Sequence, residues 1–214
     1  MQRIEMDAVR AAIAEQRRRV ADLVESLTPT QLDTPSLCGA WTVRQVAGHL
    51  LAAVDTPGRA TLSALVRGRF RLHRANALLA AEVARRPPAA LAEGLRRHAT
   101  NPFRPPIVGS PGQLTDLQVH GQDMRRPLGL PHRLALDDLR ISLDFLTGRR
   151  AIGFTPRKRL AGLRLESTDL DWAYGDGVPV TGPAEALMMA MTGRASVLGE
   201  IDGPGVRVLA ARIT

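Results

Sequence analysis

SPGQLTDLQVHGQD, residues 110 to 123, is the stretch that decides how this chain is read. Ser110, Pro111 and Gln113 have the layout of a helix start: a hydroxyl to cap, a proline for the first turn, and a side chain that reaches back to the cap. Asp116 and His120 stand four apart, so a helix puts a carboxylate and an imidazole on one face. Such a pair can close on one metal ion if a third ligand arrives from elsewhere. Leu114, Leu117 and Val119 give an apolar flank, while Arg125, Arg126 and Pro127 supply positive charge and a stop. The stretch predicts a short, partly buried helix.

A third ligand has to come from another segment, and GAWTVRQVAGHLLA, residues 39 to 52, offers one. Thr42 and Gln45 have capping-box spacing, and Val43, Val46, Ala47, Leu50, Leu51 and Val54 form an apolar stripe. His49 lies about 60° around the helix from Val46, at the edge of that stripe. A lone histidine there is read either as a hydrogen-bonded core residue or as a ligand. His73, inside VRGRFRLHR, and His98, near a helix end, compete for the role from more exposed positions.

Other segments supply a helical frame. Apolar residues from Val9 to Leu27 recur at three and four, predicting an amphipathic helix from about Ile4 to Leu27, with Arg17, Arg18 and Arg19 on its solvated face. Thr28 and Gln31 mark another cap. Helices are expected over 72–85, 89–99 and 137–148, the first two separated by Pro87-Pro88. After Gly153 the texture changes to alternating strands in LAGLRLESTDLDWAYGDGVPVTG, with Asp176-Gly177 read as a hairpin turn between residues 172–174 and 178–180. Pro179 then needs an edge or bulge position. Pro183 and Glu185 open a helix through the core methionines of ALMMAM, and the tail from Val206 leans towards helix.

Composition narrows the function classes. The 214 residues are 44% hydrophobic and 23% charged, enough for a substantial core in one or two domains, and no apolar run is long enough to span a bilayer. The N-terminus lacks the layout of a secretory signal, which predicts a cytoplasmic protein without membrane association. The single cysteine, Cys38, excludes an internal disulfide and any multi-cysteine zinc site; with no evident base beside it, it reads as a structural or incidental thiol. The net charge of +8 favours anionic partners, but an aromatic content of 3% and arginines spread along the chain argue against a nucleic-acid role.

Three separated pieces, LCGAWTVRQVAGHLLA, DLQVHGQDMRRPLG and WAYGDGVPVTGPAEALMMAMTGRASVLGEIDGPGVRVL, resemble the mycothiol-dependent maleylpyruvate isomerase family, whose bundle belongs to the DinB/YfiT-like superfamily. The resemblance implies a mainly α fold: a DinB-like four-helix bundle over residues 1–150 and a small C-terminal α/β domain, 151–214, packed on it. It implies a divalent metal, most commonly zinc, with nickel or manganese as alternatives, held by His49, Asp116 and His120. The family commonly carries glutamate at the position of Asp116. The shorter aspartate would bring the metal closer to its helix.

In the chemistry that the resemblance implies, the thiol of mycothiol binds the metal as thiolate and adds to an activated double bond of a small electrophile, giving isomerisation or S-transfer. Asp123, three residues beyond His120, can orient its imidazole, bind the metal itself, or pair with Arg126. A dicarboxylic substrate needs cationic clamps, for which Arg74 and Arg212 are the candidates. The expected partners are therefore a small thiol and a small electrophile, acting on a monomer or homodimer. A non-catalytic metal-binding or regulatory DinB-like protein is the first alternative; a basic nucleic-acid-binding helical protein is the second.

Overall fold

The structure is a computed structural model that describes residues 2–39, 41–131 and 133–213. In chain order the helices are α1 (Gln2–Ser26), α2 (Pro29–Leu32), α3 (Val43–Asp55), α4 (Gly58–Arg67), α5 (Leu72–Val83), α6 (Pro88–Arg97), α7 (Gly109–Arg125) and α8 (Leu136–Thr147). Then come α9 (Arg157–Leu160), strands β1 (Leu163–Ser167), β2 (Ala173–Tyr174) and β3 (Val178–Gly182), and helices α10 (Ala184–Met191) and α11 (Val206–Ala210). Among the described residues, no helix is long and apolar enough to cross a membrane. Two compact units are present: residues 1–103 with 120–132, and residues 104–119 with 133–214. The C-terminal α/β segment thus shares a unit with α8 and the first half of α7.

The first unit is a helical bundle in which α1 packs on α6 and α3 packs on α5 and α6. Helix α3 starts as its sequence dictates: Thr42 Oγ1 accepts from Gln45 N–H at 3.3 Å, and Gln45 Oε1 accepts from Thr42 N–H at 2.9 Å. Its stripe of Val43, Val46, Ala47, Leu50 and Leu51 is buried. Gly48 lets α3 and α5 come into backbone contact, since a Cβ there would lie 2.6 Å from the carbonyl oxygen of Ala80. A side chain at position 48 would force the two helices apart. Helix α4, in a segment for which no helix is expected from the sequence, covers α5 with little more than Ala64 buried.

One arginine departs from the expected solvated face. Arg18 and Arg19 lie beside Glu15 in the open, but Arg17 is 1% exposed. Its Nη1 donates to the carbonyls of His98 at 2.8 Å, Ala99 at 3.0 Å and Asn101 at 3.4 Å, so it caps the C-terminal end of α6. Spacing carries the explanation: Ile13, Arg17, Val20 and Val24 fall four, three and four apart, on the inward stripe.

A second tie closes the same end of the bundle. Asp55, the last residue of α3, pairs with Arg86 and with His98 Nε2 at 2.8 Å. His98 Nδ1 faces Asn101 Nδ2 at 3.2 Å, so His98 uses both ring nitrogens here. Burial opposes ionisation of Asp55, but Arg86 and His98 more than offset it and hold its carboxyl below the usual 3.8. A depressed carboxylate contributes stability above its unfolded pKa and loses it as pH falls through the folded one. Asp55→Asn is accordingly expected to cost about 1 kcal/mol at neutral pH. In urea titrations the difference from wild type should vanish as pH drops below 3.8.

In the second unit α8 packs on α10, whose Leu187, Met188, Met189 and Met191 are fully buried, as core methionines should be. The sheet corrects one expectation. Its order is β2-β1-β3, with β1 antiparallel to β2 and parallel to β3, so residues 172–174 and 178–180 do not form a hairpin. Central β1 takes both neighbours, and the chain between β2 and β3 crosses at its start. A Cβ on Gly175 or Gly177 would collide with the backbone of Leu163 or Gly162, which is why glycine occupies both positions. Pro179 stands on edge strand β3, where its missing N–H is harmless.

Candidate metal centre

Helix α7 runs seventeen residues and is buried nearly all round, deeper than the short, partly buried helix expected. It begins at Gly109, which sits at φ +64°. Two polar side chains of its first half bond to α8. The Ser142 hydroxyl of α8 donates to Gln118 Oε1 at 2.6 Å, and Thr115 Oγ1 lies 3.0 Å from Ser142 Oγ. Such buried polar contacts fix the rotation of a helix that lacks a clean apolar face.

On that helix Asp116 is half-buried and His120 is 9% exposed, one turn further on. The His49 ring from α3 meets the His120 ring edge-on, with centroids 5.0 Å apart and planes at 76°. One potential ligand atom each from His49, Asp116 and His120 lies within 4.8 Å of the other two. His120 Nδ1 is 2.9 Å from Asp123 Oδ2, and Asp123 is 0% exposed. A carboxylate on one ring nitrogen orients the imidazole and leaves the other nitrogen to face a cation. The contact between His120 and Asp123 is the one an orienting carboxylate makes.

Two imidazoles and one carboxylate suit zinc and similar divalent ions, and three protein ligands leave coordination positions open for a small molecule. The donors fit such an ion, since donors bound tetrahedrally at 2.0–2.3 Å lie roughly 3.3–3.8 Å apart. From separations within 4.8 Å, side chains have to close by at most about 1.5 Å to reach that spacing. Asp123→Asn should retain the helical circular dichroism spectrum and lower cation affinity by about 10–100-fold in a chelator competition.

Two neighbours were not assigned to a site from sequence. The loop between α2 and α3 is pinned by Ser36 N–H to Trp41 O at 2.9 Å, and it docks on α7 through Leu37 N–H to Asp123 O at 3.1 Å. It sets the Trp41 ring 5.1 Å from the His49 ring and 6.3 Å from the His120 ring. It also brings Cys38 within 4.8 Å of ligand atoms of His120 and Asp123. Local sequence could not place Cys38, because its neighbours in space lie some eighty residues away; the capped start of α3 could have flagged Trp41, which immediately precedes it.

The two clamp candidates differ. Arg74 is exposed on α5. Arg212 donates from Nη1 to the carbonyls of Ala161 at 2.7 Å and Arg159 at 3.1 Å, which ties the C-terminal residues to α9. His73 is exposed, and neither it nor His98 belongs to a metal-competent cluster among the described residues.

Comparison with known proteins bears on this geometry. Residues 13–102 match the family model described as the mycothiol maleylpyruvate isomerase N-terminal domain. Crystal structures of mycothiol-dependent maleylpyruvate isomerase are similar over 91% of this chain. One, of a histidine-to-alanine mutant, has a TM-score of 0.56 at 15% identity and is covered over 91% of its length. Another has a TM-score of 0.54 at 16% identity, covered over 90%. No curated protein matches by sequence. The fold is thus mainly α and DinB-like, with a small three-stranded sheet, as expected.

Proposed function

We propose, from the likeness of residues 13–102 to the mycothiol maleylpyruvate isomerase N-terminal domain, that this chain is a metal- and mycothiol-dependent isomerase or S-transferase for a small electrophile. The observation that carries the reading is the convergence of His49, Asp116 and His120 on one point, with Asp123 behind His120. These three side chains would hold a divalent ion, zinc first, then nickel or manganese. When bound, the ion would supply the positive charge that lowers the pKa of a small thiol.

The chain's own residues do the rest. Asp123 keeps the His120 imidazole in one orientation, and Trp41 walls the two imidazoles on one side. For a dicarboxylic substrate Arg74 is the more available clamp, since Arg212 already holds two carbonyls. The same reading keeps residues 1–150 as the metal-binding part and 151–214 as its α/β companion, acting as a monomer or homodimer in the cytoplasm.

The test uses full-length protein kept from chelators and offered zinc, nickel and manganese. Stoichiometric metal together with thiol-dependent consumption of maleylpyruvate or a related electrophile supports the reading. Protein that retains no metal overturns it. Metal without any thiol-dependent turnover leaves the non-catalytic binder in its place.

A further inference from the structure

We propose that Cys38, His120 and Asp123 form a second cation-binding arrangement, in which a borderline or soft divalent ion takes a thiolate, an imidazole nitrogen and a carboxylate oxygen. One potential ligand atom from each lies within 4.8 Å of the other two. All three belong to the same compact unit. A thiolate bound at about 2.3 Å and an imidazole at about 2.0–2.1 Å lie roughly 3.5 Å apart on a tetrahedral ion, so the gap to close is at most about 1.3 Å.

The backbone that carries the thiol is fastened on both sides. Cys38 N–H donates to Ser36 Oγ at 3.1 Å, and Cys38 O accepts from Trp41 N–H at 3.2 Å. The next fastening, Leu37 N–H to the carbonyl of Asp123, ties the backbone of the thiol's neighbour to the residue that offers the carboxylate. Exposure is graded across the set: Asp123 is 0% exposed, His120 9%, and Cys38 is intermediate. An ion arriving from solvent therefore meets the sulfur first.

The arrangement needs neither His49 nor Asp116, so it goes beyond the proposed function while sharing His120 with it. Its donor chemistry also differs, because a thiolate selects zinc, cobalt(II) and cadmium over manganese and magnesium. Where an ion sits here, the chain's own sulfur supplies the thiolate ligand, and the two arrangements share His120.

The experiment uses the full-length His49→Ala variant, shown by circular dichroism to be folded, with cobalt(II) and then cadmium as probes. The expected result is one bound equivalent with a near-ultraviolet thiolate-to-metal charge-transfer band, and alkylation of Cys38 by iodoacetamide slowed at least tenfold by the metal. Cys38 is the single cysteine, so the alkylation reads one site. Adding Cys38→Ser to His49→Ala should abolish the band and weaken cation affinity at least tenfold. A folded His49→Ala variant that binds no cation, or binds it with no charge-transfer band and unchanged alkylation, overturns the proposal. Cys38→Ser alone separates the two readings: failure to keep any cation would count against the His49, Asp116 and His120 centre, not against this one.

Discussion

His120→Ala is expected to leave no stoichiometric metal in the purified protein and to abolish thiol-dependent turnover. The loss of cation affinity should exceed the roughly 100-fold that removal of an orienting partner costs, because His120 is common to both metal-competent groups. Alanine also takes a hydrogen-bond partner from the fully buried Asp123, which costs about 1–3 kcal/mol. Lost activity in that variant could therefore come from unfolding. His120→Asn separates the effects, since its amide keeps a donor near the place of Nδ1 while removing the nitrogen that faces the ion. It should unfold in urea within about 1 kcal/mol of wild type and still carry no metal. Metal retained at full stoichiometry in His120→Asn would sink the proposed centre.

Arg17→Met is expected to cost about 3 kcal/mol in urea unfolding, with methionine preserving most of the buried aliphatic volume. The loss arises from three carbonyls, of His98, Ala99 and Asn101, that have Arg17 Nη1 as a donor at the end of α6. Burial lowers the Arg17 pKa to about 10, so the side chain remains a cation at neutral pH. The native state binds fewer protons than the unfolded chain only above about pH 10. The electrostatic penalty of burying the charge is therefore constant below pH 10 and is relieved only above it. The difference between wild type and Arg17→Met should accordingly be flat from pH 5 to about pH 9. Arg17→Lys, a point charge on a thinner stem, should recover part of the loss, because it cannot spread its donors over three carbonyls.

What could be read from the sequence was what local chemistry decides. The capping box of Thr42 and Gln45, the stripe of α3 and the edge position of His49 need only neighbours within one turn, and all three are present in the fold. Asp116 and His120 share a helix for the same reason. Arg17 was misread because three adjacent arginines suggest a solvated face, whereas its burial depends on a helix end about eighty residues away. Asp176-Gly177 has the composition of a hairpin turn, yet β1 takes both neighbours and the turn becomes a crossing. Cys38 lay beyond reach for a similar reason: its surroundings exist only once the loop before α3 is fastened to Asp123.

Trp41, tilted against both imidazoles, makes the site optically self-reporting. An indole within a few ångströms of a cation site loses emission to paramagnetic ions and to a charged imidazole far more than a distant one does. The other tryptophan, Trp172, is 7% exposed and donates from Nε1 to Asp144 at 2.8 Å, so it contributes a steady background that Trp172→Phe would remove. In that variant, emission should fall saturably as cobalt(II) is added, and recover with chelator. Occupancy, affinity and exchange rate would then be readable by light alone, without substrate or label.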